Sequence, residues 1–365
     1  MDDRARVYHR WQLILSALNL VLTAGVLAGA AWLLAVERPP ATACGVDLLL
    51  LVAVELAVLG LAVAVVTAPL GFVSGYWLAR RFGLLHQPFR HWLLDRVKAA
   101  AIGGALGLIA FEIIYGLLAH FRLWWLAAAV IFFGGYVLLA TVAPVWFLPL
   151  FYRLTPLADA ALRDRLLALA ARAGVPVVGV WVADQSTKSK TANAALTGIG
   201  RTRRIVLFDT LLARFTPDEI ESVLAHELGH HVHGDIRRGL LVQGALTLAT
   251  FGVADRLLRL SAAAFGWNGP ADPAGVPGLA LLLLALGVVA TPLGNAFSRW
   301  IERQADDFAL ATTGNVPAFV GAMERLAALN LAERRPNRIK ELLLYSHPSI
   351  DRRIRRALRS QGATA

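Results

Sequence analysis

The stretch SVLAHELGHHVHGD, residues 222–235, sets His226 and His230 four positions apart. The residues before it, TPDEIE, form a good helix start, with Thr216 as N-cap, Pro217 at the first position and Glu219 three residues after the cap. Four apart on a helix, the two imidazoles project from one face. Two imidazoles at that spacing bind one Zn²⁺, and Glu227 beside them is positioned to act on water at the metal. His231 and His233 stand one and three positions from His230, spacings that turn them off the metal face and toward solvent. Such a helix belongs to water-soluble zinc hydrolases, yet the chain around it is not made for water.

Of 365 residues, 57% are hydrophobic and 17% charged, with a mean hydropathy of +0.58. A helix needs roughly 20 apolar residues to cross a bilayer core of about 30 Å. Residues 11–36, 48–79, 99–119, 123–150 and 278–297 meet that length, while 239–254 is a short, weaker run. The first run follows basic residues, but it is too long for a signal-peptide core and no small-residue cleavage site follows, so it reads as a retained span. Glu55 and Glu112 are ionisable residues inside spans, where such groups line a polar chamber or join helices. A single cysteine, Cys44, excludes an internal disulfide framework and reads as a bystander thiol.

The net charge of +11 is spread along the chain rather than gathered into an aromatic-rich patch, which argues against nucleic acid as a partner. Membrane topology accounts for it better. Residues 80–98 carry Arg80, Arg81, Arg90, Arg96 and Lys98 against Asp95, whereas the 37–47 loop holds one arginine and two acids. The alternation places both termini, the 80–98 loop and the region 151–238 in the cytoplasm.

The main polar insertion, residues 152–238, opens with LADAALRDRLLALAARAG, a helix ended by Gly174 and Pro176. VPVVGVWVAD and RRIVLFD read as short strands around a polar connection. Past the sixth apolar run comes NAFSRWIERQADDFALA, in which Glu302 and Asp306 are four apart and share a helix face. A catalytic zinc needs a third protein ligand and an open position. One of these carboxylates can supply that ligand while the other accepts the free N–H of a ligand histidine.

Seven segments, in order, carry a resemblance: RRFGLLHQPFRHWLLDRVK, LTPLADAALRDRLLALAARAG, TANAALTGIG, RRIVLFDTLL, VLAHELGHHVHGD, NAFSRWIERQADDFA and SHPSIDRRI. The chain resembles the integral-membrane zinc metalloproteases of the type I CAAX prenyl protease family over most of its length. The resemblance implies one Zn²⁺ per chain, held by His226, His230 and Glu302, with Glu227 as general base and Asp306 partnering a ligand histidine. It implies that Asn193 and Ala194 lie on an edge strand that pairs with substrate backbone, and that His347 and Arg353 steady the oxyanion or a substrate carboxylate. Asn295 fits the family's N…SR…E pattern and orients its segment. Ala195 stands where the family usually has an aromatic, which implies a more open subsite.

The expected fold is a predominantly α, polytopic membrane protein of six to seven spans with a small mixed α/β cytoplasmic metalloprotease region. Its divisions fall at 1–151 (four spans), 152–238 (catalytic region with the zinc helix), 239–297 (two further spans) and 298–365 (the third ligand). The expected activity is hydrolysis, by zinc-activated water, of membrane-associated or CAAX-type prenylated polypeptides. The Ala/Leu/Arg-rich composition suggests a high-GC bacterium and its inner membrane, where a heat-shock-type quality-control protease is the nearest alternative. A transporter with a structural zinc would close its site with four ligands and has no use for Glu227. Catalytic death is disfavoured because every expected residue is present. Oligomeric state is not legible.

Overall fold

The computed structural model describes residues 2–37, 47–146, 148–198 and 203–362. Cys44 and most of the 37–47 loop lie outside the described residues. Apolar runs become long helices because each satisfies its own backbone in lipid. The membrane region begins with α1 (Asp2–Glu37) and α2 (Leu48–Phe72). A π-helical turn, Val73–Leu78, then leads into α3 (Ala79–Arg81). It continues through α4 (Phe89–His120), α5 (Trp124–Trp146) and the short α6 (Leu148–Phe151). After the polar insertion come α10 (Asp235–Phe265) and α11 (Val276–Thr313). Among the described residues, six helices are long and apolar enough to cross a membrane.

Two expectations about these helices need correction. The run 239–254 is part of the 31-residue α10, and the basic segment 90–98 forms the first turns of α4 rather than a loop. In α10, charges interrupt the apolar run without ending the helix, and Asp255 in its middle is paired. Asp255 accepts hydrogen bonds from Trp124 Nε1 at 2.6 Å and from Arg259 Nε at 3.0 Å. The sixth apolar run and the segment carrying Glu302 are one helix, α11, continuous through Pro292. Within the bundle, Glu55 Oε2, Glu112 Oε1 and the Tyr115 hydroxyl are buried without hydrogen-bond partners among the described residues.

The polar insertion holds a four-stranded sheet in the order β1-β2-β4-β3. Its strands are β1 (Leu154–Pro156), β2 (Val180–Ala183), β3 (Ala194–Thr197) and β4 (Arg204–Phe208). β2 and β4 are parallel, while β1 and β3 are antiparallel edges. The three-residue β1, one residue of it proline, gives no sequence signal; it forms because Leu154–Pro156 pairs with Trp181–Ala183. Helices α7 (Ala160–Arg172), α8 (Asp209–Leu212) and α9 (Pro217–Val232) complete the region. After α11 follow α12 (Val316–Leu329), α13 (Arg338–Leu344) and α14 (Ile350–Gly362). Leu166, Ile205, Leu207, Leu224, Leu228 and Phe319 fill its core and are nearly inaccessible to solvent.

The two regions are stitched together beside the sheet. Lys188 Nζ meets Asp95 Oδ2 at 2.5 Å, His86 N donates to Lys188 O at 2.9 Å, and Ser189 Oγ donates to Leu84 O at 2.6 Å. The basic residues that follow the second span therefore sit on the same side as the polar insertion.

Candidate metal centre and substrate cleft

Helix α9 starts where the sequence places it. Glu219 N donates to Thr216 Oγ1 at 3.3 Å, and Thr216 N donates back to Glu219 Oε2 at 2.8 Å, closing a capping box. Its inner face, with Leu224, Ala225 and Leu228, is buried against the sheet and α12. Its other contact is with α11, and there the helices come very close. A Cβ at Gly229 would stand 3.1 Å from Ala305 Cα and 3.2 Å from Phe308 Cβ. We expect Gly229→Ala to force the helices apart. Overpacking of this kind costs about 1–3 kcal/mol, more than the ~1 kcal/mol that alanine gains in helix propensity. Thermal unfolding should show a lower midpoint and metal analysis a lower occupancy; a raised midpoint would show that the gap tolerates a methyl group.

That close approach brings the ligand candidates together. His226 Nε2 lies 3.3 Å from Glu302 Oε2, and His230 Nε2 lies 3.5 Å from Glu302 Oε1. One ligand atom from each of the three residues falls within 4.8 Å of the others. The far nitrogens are occupied. His226 Nδ1–H donates to Asp306 Oδ1 at 2.9 Å, and His230 Nδ1–H to Asp235 Oδ2 at 2.9 Å. Carboxylates on Nδ1 fix the tautomer that leaves Nε2 free as a donor. Glu302 Oε2 is buried without a hydrogen-bond partner among the described residues. Two free imidazole nitrogens facing one under-bonded carboxylate fit a divalent cation of the zinc type. Burial lowers the His226 pKa, but the adjoining Asp306 and Glu302 carboxylates outweigh it and raise it to about 9.

Beside this group lies a cleft of about 320 Å³ lined by Glu227, His226, His347, Arg353, Asn193 and Ala194 among others. Burial raises the pKa of the Glu227 carboxyl, with His226 and His230 opposing it. A carboxylate so placed is a better base than one in water. His347 Nε2 reaches Glu302 Oε1 at 3.2 Å, while its side chain remains 58% exposed. Asn193 is exposed and Ala194 buried at the start of edge strand β3, whose outer side has no partner strand among the described residues. Asn295 Nδ2 donates to Leu343 O at 2.9 Å, tying α11 to α13.

Arg353 is arranged differently from the expectation. It lines the cleft with its charge already engaged: its Nε and Nη2 grip Asp306 at 2.9 and 2.5 Å, and the residue is only 9% exposed. Two further expectations are corrected. His231 and His233 are half-buried rather than solvent-facing, because α9 packs on the sheet and on α11. His231 hydrogen-bonds the backbone of Leu196 in β3, and the His233 ring meets Phe308 edge-on at 5.8 Å.

Sequence reasoning missed Asp235 and Asn330. Gly234 takes a left-handed conformation (φ 68°) that turns the chain so Asp235 comes back under His230. The GD pair after the metal helix is the signal that could have shown it. Asn330 gives no local signal. Its Oδ1 accepts from Ala192 N at 2.9 Å and its Nδ2 donates to Ala192 O at 3.1 Å, steadying the backbone just before β3 from 138 residues away.

Comparison with known proteins agrees with this geometry. Peptidase family M48 matches residues 156–361. The family described as CAAX prenyl protease N-terminal, five membrane helices, matches residues 4–153; four helices of spanning length fall there among the described residues. The chain is 33% identical to "Uncharacterized metalloprotease YhfN" of Bacillus subtilis, over 84% of this chain and 73% of that one. It is 30% identical to "CAAX prenyl protease 1" of Saccharomyces cerevisiae, over 79% and 68% respectively. The crystal structure of S. mikatae Ste24p superposes with a TM-score of 0.79 at 27% identity, covering 97% of this chain and 88% of that one. With both halves matched and the fold shared, the chain belongs to peptidase family M48, as a membrane metalloprotease of the CAAX prenyl protease kind.

Proposed function

We propose that the metal is zinc, one per chain, and that the protease cleaves membrane-associated or lipidated polypeptides at the cytoplasmic face of a bacterial inner membrane. The observation that carries this reading is the meeting of His226, His230 and Glu302 with Glu227 in a cleft bordered by an open sheet edge. His226, His230 and Glu302 hold the ion, which when bound polarises a carbonyl and makes water acidic. Glu227 takes a proton from the attacking water and passes it to the leaving amine. Asp306 and Asp235 keep the two imidazoles in the ligating tautomer. The edge of β3 at Asn193 and Ala194 pairs with the substrate backbone, extending it across the cleft. His347, exposed at the mouth, donates to the oxygen on which charge develops. Arg353 acts through Asp306 rather than on substrate.

The arginines and Lys98 near the cytoplasmic ends of α2 and α4 support the orientation. Lipidated substrates are suggested by the names of the eukaryotic relatives, and the B. subtilis relative is named only as a metalloprotease. The test uses the detergent-solubilised full chain with a farnesylated CAAX peptide, its unmodified counterpart and an unfolded membrane protein. A chelator should reduce cleavage to background and zinc should restore it. The farnesylated peptide should exceed its counterpart in kcat/KM by about tenfold or more, since burial of only two CH₂ groups supplies that much. Preference for the unfolded protein would favour a quality-control role; cleavage indifferent to chelator would overturn the metal reading.

A further inference from the structure

On the far side of Asp306 from the cleft lies a second cavity of about 640 Å³, lined by seven arginines against three carboxylates. Four of the arginines, Arg352, Arg355, Arg356 and Arg359, follow helical spacing along one side of α14, while Ile354 and Ala357 on its other side are buried in the core. Across from them α11 contributes Arg299 and Arg303. The carboxylates are already engaged. Asp306 holds Arg353, Asp307 takes Arg356 at 2.6 and 2.5 Å, and Glu341 meets Arg352 at 3.3 Å. Arg303 and Arg359 have no acidic partner among the described residues. Arg355 pairs with Asp351 at 3.4 Å, and Arg299 donates to Glu341 O and Tyr345 O. The charge left over on this cavity is therefore that of Arg303 and Arg359, and it gains most from an anion that accepts several donors at once, above all a phosphate.

The position of the cavity identifies where the phosphate comes from. Arg299 and Arg303 stand just beyond the apolar part of α11, where Trp300 is 41% exposed, as side chains at a membrane–water boundary are. Next to them α13 carries Ile339, Leu342, Leu343 and Leu344, each 46–68% exposed, and Leu342 also lines the cavity. Four neighbouring apolar side chains are costly to leave in water but would cover acyl chains well. We propose that this cavity binds the headgroup phosphate of an anionic phospholipid, of the phosphatidylglycerol class, from the adjoining leaflet, with α13 against its acyl chains. A free phosphate would use the arginines and leave α13 without a role. The lipid shares the Arg353–Asp306 wall with the metal centre, so its binding braces the helix face that carries Glu302.

Native mass spectrometry of the full chain in a neutral detergent tests this, with phosphatidylglycerol and phosphatidylcholine of matched chains and with inorganic phosphate. Phosphatidylglycerol should be retained as a one-to-one adduct in preference to phosphatidylcholine. The double substitution Arg303→Gln/Arg359→Gln should weaken that binding by roughly tenfold or more, with an unchanged melting midpoint, and Arg303→Lys/Arg359→Lys should retain most of it. Equal retention of the two lipids, or equal binding by the glutamine variant, overturns the proposal. Displacement of the lipid by equimolar inorganic phosphate overturns it in favour of a soluble anion.

Discussion

Replacing Glu227 by glutamine is expected to lower turnover by two to four orders of magnitude, the range for loss of a positioned general base. Metal content should stay at the level of the unaltered protein. The amide has nearly the shape of the carboxylate and keeps a hydrogen-bonding oxygen, but it cannot take a proton. His226, His230 and Glu302, the proposed ligand set, are untouched. The measurement is kcat on a cleaved peptide together with metal per chain by elemental analysis. Turnover within a few-fold of the parent would remove Glu227 from the chemistry and shift the role of base to another group in the cleft.

The second large effect is expected at Asp306. Its carboxylate is 2% exposed and serves two partners, the Nδ1–H of His226 and the guanidinium of Arg353. Asp306→Ala leaves Arg353 charged and buried, a change that costs about 3–5 kcal/mol when one member of a buried pair is removed. It also frees the His226 ring to rotate, which for such outer partners weakens metal binding about 10- to 100-fold. These two losses can be separated. Asp306→Ala combined with Arg353→Met removes the stranded charge and should recover most of the stability, while the metal affinity stays low. Denaturant unfolding and metal titration of the single and double variants provide both readings. If the double variant regained full metal affinity, the loss in the single variant would come from Arg353 rather than from His226.

The legible and illegible parts of this protein divide on physical lines. Spans and the start of the metal helix rest on local effects: apolar length for α1 or α2, and a cap three residues from its glutamate for α9. His226 and His230 were readable because helical spacing puts chemistry on one face, whereas spacing left Glu302 and Asp306 as alternatives and the family resemblance chose Glu302. The ends of α10 were not, because Asp255 finds its partner Trp124 across the bundle, and a charge satisfied in that way does not stop a helix. Arg353 reads as an available cation because its charge is visible in the sequence and its pairing with Asp306 is not. Asn330 is the extreme case, since its side-chain amide bonds a residue 138 positions earlier.

The unbroken course of α11 sets a depth. Glu302 lies five residues beyond Phe297, where the apolar run ends, so the carboxylate proposed as a metal ligand stands only about 8 Å of helical rise past that point. An extended peptide advances about 3.3 Å per residue, so a chain anchored in lipid reaches that height within two or three residues. A bond next to the anchor is therefore within reach, whereas one ten residues away would have to loop back. For the lipid-anchored substrate proposed above, the helix would act as a ruler, with the distance from anchor to cut written into its length.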